Sequence, residues 1–87
     1  MEITIKQIDE KEFHKLGIKN WPIWEKEISK FSWNYENEEQ CYFLEGDATV
    51  LAKGNIYKIK KGDFVIFPKG LSTRWVILEP VKKHYKM

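Results

Sequence analysis

The stretch Gly62-Asp63-Phe64-Val65-Ile66-Phe67-Pro68-Lys69-Gly70-Leu71-Ser72-Thr73 constrains the rest of the chain more than any other. Its apolar run, Phe64 to Pro68, is too short for a helix and rich in β-forming residues, so it reads as a buried strand. Gly62 supplies a backbone that takes positive φ without steric cost, and Pro68-Lys69-Gly70 fixes the exit from the strand. A strand buried in this way needs other strands to close around it.

Those strands follow from alternation along the chain. Ile3 and Ile5 alternate with Thr4 and Lys6, which predicts a strand within Met1 to Ile8. Asp9 and Glu12 form a capping-box-like pair, Ile8 and Phe13 occupy the staple positions and Gly17 is placed to end a short helix. From Trp21 onward the β pattern takes over. Trp24, Lys26 and Ile28 share one face, and Phe31, Trp33 and Tyr35 share the next. Glu39 to Glu45 reads as a strand, Gly46-Asp47 as a turn, Ala48 to Ala52 as a strand and Lys53-Gly54-Asn55 as a tight hairpin loop. Ile56 to Ile59 returns to the opening stretch. Ser72 to Leu78 carries Thr73, Trp75 and Ile77 on one face, Glu79-Pro80 breaks it, and Val81 to Tyr85 is expected as a last edge strand. About eight or nine short strands at this spacing predict an all-β antiparallel barrel or double-sheet jelly roll with a short N-terminal helix.

Eighty-seven residues leave room for one domain, residues 1–87, and the 43% apolar, 15% aromatic composition supports a packed core. The net charge of +2 is spread among 15 basic and 13 acidic residues with no long basic run, so no nucleic-acid footprint stands out. No apolar run approaches membrane-spanning length and no secretory signal is read at the start, which gives a cytoplasmic expectation and no membrane partner. The one cysteine, Cys41, rules out an internal disulfide and a multi-cysteine metal knuckle.

Two segments resemble the motifs of the cupin superfamily. Glu39-(six residues)-Gly46 is similar to the end of the first cupin motif, G-x5-H-x-H-x3-4-E-x6-G. Gly62-(five residues)-Pro68-Lys69-Gly70-Leu71-Ser72-Thr73 is similar to the second, G-x5-P-x-G-x2-H-x3-N. The resemblance implies a cupin-like double-sheet jelly-roll barrel. Trp21-Pro22-Ile23-Trp24, the Phe67-to-Gly70 turn and Trp75 also resemble the small cupins grouped with (S)-ureidoglycine aminohydrolase and the ethanolamine-utilisation cupins. The departures fall on the metal ligands. The histidine places hold Trp33 and Tyr35, or Ser32 and Asn34 if the gap is one longer. The third histidine place holds Thr73 and the asparagine place holds Ile77. Only Glu39 survives, so no metal site or cofactor is expected, although a divalent metal is not excluded because Cys41 shares the face of Glu39.

The residues expected at the barrel interior are Trp33, Tyr35, Glu39, Cys41, Thr73 and Trp75. Glu39 is either a general acid–base with a carboxyl raised by desolvation, or a carboxylate satisfied by tyrosine, threonine or tryptophan donors. Cys41 is a small core residue or a reactive thiol. The three rings line a ligand pocket or fill a narrow barrel, and Thr73 is a pocket hydroxyl or a strand filler. His14 and His84 read as surface residues, and Lys82-Lys83-His84 with Lys86 as a solvated basic edge. The expected function is binding of a small polar metabolite in the barrel mouth. A metal-independent isomerase- or lyase-type proton transfer by Glu39 is one alternative. A structural module pairing as a homodimer through Ile3 and Ile5 is another.

Overall fold

The computed structural model describes residues 2–87. Its elements in chain order are β1 (Thr4–Lys6), α1 (Glu10–Leu16), a 3-10 turn (Ile18–Asn20), β2 (Ile23–Lys26), β3 (Ser29–Asn34), β4 (Glu39–Ala52), β5 (Asn55–Lys60), β6 (Phe64–Phe67) and β7 (Ser72–Lys86). The expected all-β jelly roll with a short helix is the fold observed. Met1, at the start of the first predicted strand, lies outside the described residues. The helix follows its sequence signals closely. The Asp9 carboxylate accepts from the Glu12 N–H at 2.8 Å, and Gly17 closes the helix in the left-handed conformation at φ 68°.

Two long strands carry the architecture. The second half of β4, residues 47–52, pairs with β5 on one side and with the first half of β7 on the other. The first half, residues 39–43, pairs with β6 and with the second half of β7. Strand β3 adds to the first half of β7, β2 adds to the second half, and β1 adds to β6. Two antiparallel walls therefore share β4 and β7, each of which bends from one wall into the other.

This sharing corrects two expectations. Gly46-Asp47 is not a turn, and Glu79-Pro80 does not end a strand, so the described residues form seven strands in place of the eight or nine expected. The register between β4 and β7 shifts between Phe43 and Ala48, directly opposite the Pro80 region. Bulges are the places where a proline without its N–H fits into a central strand. The shift also reverses the phase of burial in β4: Glu39, Cys41 and Phe43 point inward, then Ala48, Val50 and Ala52 do. Gly46 sits at the reversal with φ 121°, and a Cβ there would lie 2.8 Å from Val81 Cα. Only glycine lets the two strands cross that closely. Val81 to Tyr85 is consequently the middle of a wall, flanked by β2 and β4, rather than an edge.

The Lys53-Gly54 turn has positive φ at both residues, 51° and 77°, the geometry of a two-residue hairpin loop that matches strand twist. The turn after β6 closes with Leu71 N–H donating to the Pro68 carbonyl and Gly70 at φ 86°. Gly70 N–H donates to the Tyr35 carbonyl at 2.7 Å, and Tyr35 N–H donates to the Leu71 carbonyl at 2.8 Å. Those two bonds pin Tyr35 against the turn, so the segment after β3 is fixed where it enters the barrel. The core between the walls holds Phe43, Val50, Ile59, Val65, Phe67, Leu71, Trp75 and Ile77.

Candidate functional site

At one end of the barrel the core gives way to a cavity of about 220 Å³. The register of the strands supplies its walls. Trp24 of β2 stands opposite Lys83 of β7, Phe31 of β3 stands opposite Trp75 of β7, and Glu39 opens β4 opposite Phe67. Trp24, Phe31, Trp33, Tyr35, Trp75 and Tyr85 form the aromatic lining, and Met87 adds an aliphatic contact. The ring of Phe31 lies parallel to that of Trp75 at 5.9 Å, and the ring of Tyr35 lies parallel to that of Phe67 at 4.6 Å. Trp33 is 51% exposed and belongs to the rim, whereas Trp75, 1% exposed, forms part of the floor.

The floor also carries charge. Lys83 is only 5% exposed, and its Nζ donates to Glu39 Oε2 at 2.9 Å and to Cys41 Sγ at 3.3 Å. The Cys41 thiol in turn donates to the same Glu39 oxygen at 3.1 Å. Burying an isolated charge costs several kcal/mol, so a buried lysine and glutamate persist only as a paired, hydrogen-bonded unit. The ammonium also lies 5.0 Å from the ring of Trp24, 5.3 Å from Trp75 and 5.7 Å from both Phe43 and Phe67. Those distances fall within the range where a cation is attracted to the face of a ring.

Lys83 overturns the expectation of a solvated basic edge. Its period-two spacing with Val81 and Tyr85 was the available signal, but its partner Glu39 is 44 residues away in sequence. His84 is likewise buried rather than at the surface, its Nδ1 within 2.9 Å of the Trp21 carbonyl. The six expected site residues divide. Trp33, Tyr35, Glu39 and Trp75 line the cavity, while Cys41 and Thr73 do not. Cys41 lies fully buried beneath the floor, and the Thr73 hydroxyl donates to the Trp33 carbonyl at 2.8 Å across the β3–β7 pair. Trp24, Phe31, Lys83, Tyr85 and Met87 were not anticipated in the lining.

The electrostatics follow from burial. Burial pushes the Cys41 thiol strongly upward; Lys83 opposes the shift and Glu39 adds to it, so the sulfur stays a thiol at neutral pH. Burial alone would lower Lys83, but Cys41 and Glu39 outweigh it and hold the ammonium above its ordinary value. Burial also raises the Tyr35 hydroxyl, with Cys41 and Glu39 beside it acting in the same direction. That hydroxyl is close enough to feel the Trp75 N–H, yet the geometry of a hydrogen bond is not met, and Trp75 Nε1 has no partner among the described residues.

The donors at the floor do not suit a divalent metal. No group of three or more His, Cys, Asp and Glu side chains comes together among the described residues. Glu39 and Cys41 offer two ligands, whereas zinc, manganese and iron want three or four converging ones. The third neighbour is an ammonium, which carries no lone pair to donate and repels a cation.

Residues 13–85 match the profile of the EutQ-like cupin domain. The chain is similar over 99% of both lengths to a DUF861 family protein from Thermotoga maritima, at 48% identity and a TM-score of 0.97. It is similar in fold to the EutQ protein of Clostridium difficile, with 19% identity and a TM-score of 0.67 over 72% of this chain and 50% of that one. A putative ethanolamine utilization protein Q from Salmonella typhimurium gives 19% identity and a TM-score of 0.66, over 98% of this chain and 68% of that one. A comparison with curated proteins gave no match. No helix among the described residues is long and apolar enough to cross a membrane.

Proposed function

The chain belongs to the EutQ-like cupin family, and on that premise we propose that it is a small-molecule-binding module whose ligand enters the mouth of the barrel. In this proposal the Glu39–Lys83 ion pair stands where metal-binding cupins are expected to hold their ion. The observation that carries it is the open aromatic cavity with that pair on its floor. A barrel evolved only as a scaffold has no need of a roomy interior, because side chains fill small barrels readily. Concave, mostly apolar sites with a few placed polar groups are the usual form of ligand pockets. The likeness of Trp21-to-Trp24 and of the Phe67-to-Gly70 turn to the aminohydrolase-like cupins is part of the same proposal and points to a small polar metabolite. We place this activity in one domain spanning residues 1–87, in the cytoplasm.

One observation favours a catalytic variant of this reading. Glu39 lines the cavity, yet both of its hydrogen bonds fall on Oε2. Oε1 remains able to take a proton from a bound molecule, with the Lys83 ammonium beside it to stabilise developing negative charge. Crystals soaked with a panel of small polar and aromatic fragments test the proposal. Density between Trp24, Phe31 and Trp75 is the expected result. Fragments bound only on the outer faces of the walls would overturn it.

A further inference from the structure

Resting on the pocket reading above, we propose that the cavity selects a neutral, planar ring compound carrying a carbonyl next to an N–H, a lactam-type heterocycle, over anions and cations of the same size. The Trp75 indole N–H is shielded from the cavity beside the Tyr35 hydroxyl, so two groups at the floor set this preference. Lys83 spends two of its three N–H groups on Glu39 and Cys41, which leaves one donor on the floor. Glu39 supplies the complement, since both Cys41 and Lys83 engage Oε2 and leave Oε1 as an acceptor. A carbonyl beside an N–H satisfies a donor and an acceptor on one polar edge.

Charge excludes the alternatives. Glu39 and Lys83 are the charged side chains in the lining, and they neutralise each other. A carboxylate ligand would lose its water beside Glu39 without gaining an unpaired cation. A cationic ligand would face an ammonium already seated among four rings. The size fits one ring: a cavity of about 150 Å³ accepts benzene, so about 220 Å³ holds roughly seven to ten non-hydrogen atoms.

The test titrates the folded protein with 2-pyridone, N-methyl-2-pyridone, benzoate and benzamidinium, by calorimetry and by the NMR signals of the tryptophan indoles. 2-Pyridone is expected to bind tightest and to move the Trp75 indole signal. N-methylation, which removes the N–H that Glu39 accepts, is expected to weaken binding roughly three- to tenfold, the worth of one hydrogen bond. Lys83→Met, which keeps the apolar stem and removes the donor to the carbonyl, is expected to weaken 2-pyridone by a similar factor. If that variant does not fold, the comparison of the two pyridones still decides. Equal binding of the pyridones, or tighter binding of benzoate or benzamidinium inside the cavity, would overturn the ligand class and leave the pocket reading standing. Failure of all four probes to move Trp24, Trp33 or Trp75 would overturn both.

Discussion

Replacing Lys83 by methionine keeps most of the apolar stem and removes the ammonium, leaving Glu39 as a buried carboxylate that retains only the Cys41 thiol as a donor. Breaking a buried pair from one side costs about 3–5 kcal/mol. A chain of this length has a total stability of about 4–13 kcal/mol, so the substitution removes a large share of it. At about 4–8 °C per kcal/mol for a domain of this size, the midpoint of thermal unfolding falls by well over 10 °C. Urea unfolding at neutral pH, followed by tryptophan fluorescence, measures the loss. The companion variant, Glu39→Leu with Lys83→Met, removes both charges and fills the space with apolar groups. It should recover most or all of the loss, because well-packed apolar replacements of a buried pair are often neutral or stabilising by about 1–4 kcal/mol. A single-variant cost below about 1 kcal/mol would refute the claim that the pair is buried and coupled. A double variant as unstable as the sum of the two singles would refute it equally.

Three further outcomes follow from the same structure. Gly46→Ala places a Cβ against the Val81 backbone at a positive-φ position, and should cost on the order of 2–3 kcal/mol in the same urea assay; a cost near zero would contradict the tight crossing of β4 and β7. Cys41 should resist a thiol-labelling reagent at pH 8 in the native protein and react fully once unfolded in guanidinium, and rapid native labelling would place it elsewhere. Cys41, Tyr35 and Lys83 all hold their protons more tightly folded than unfolded, so their contribution is fully present below the unfolded-state values of about 8.5, 10 and 10.4 and is lost as pH rises above them. Stability should fall progressively in alkali, by up to about 1.4 kcal/mol per pH unit for each group, and a curve flat to pH 11 would contradict those burials.

The parts of the molecule legible in the sequence are those fixed locally. Asp9, Glu12 and Gly17 bound the helix through their own backbone bonds, and Lys53-Gly54 turns the hairpin, so neighbouring residues suffice to read them. The two cupin-like motifs name the fold because glycine and proline spacing records backbone geometry directly. Gly46 and Pro80 misled for the same reason in reverse. Each is a turn signal on its own, and only the facing strand, with its shifted register, turns the pair into a bulge within two continuous strands. Lys83 was illegible as a site residue because lysine is ordinarily solvated, and its burial depends on Glu39 arriving from β4. Thr73, by contrast, sits at the expected third histidine place, yet its hydroxyl is spent on the β3 backbone. Residue types marked the centre of the site through Glu39, Tyr35 and Trp75; the remaining wall needed the strand register.

Four tryptophans make the barrel mouth observable by a single NMR experiment, because Trp24, Trp33 and Trp75 line the cavity while Trp21 does not. Indole signals are recorded first with one equivalent of manganese(II), then with small neutral aromatic fragments. With the Glu39–Lys83 pair on the cavity floor, manganese should leave all four signals intact, and the fragments should shift the three cavity signals while Trp21 stays still. Loss of the Trp75 signal at one equivalent of manganese, or fragments that shift none of the three, would contradict a ligand pocket built on that ion pair.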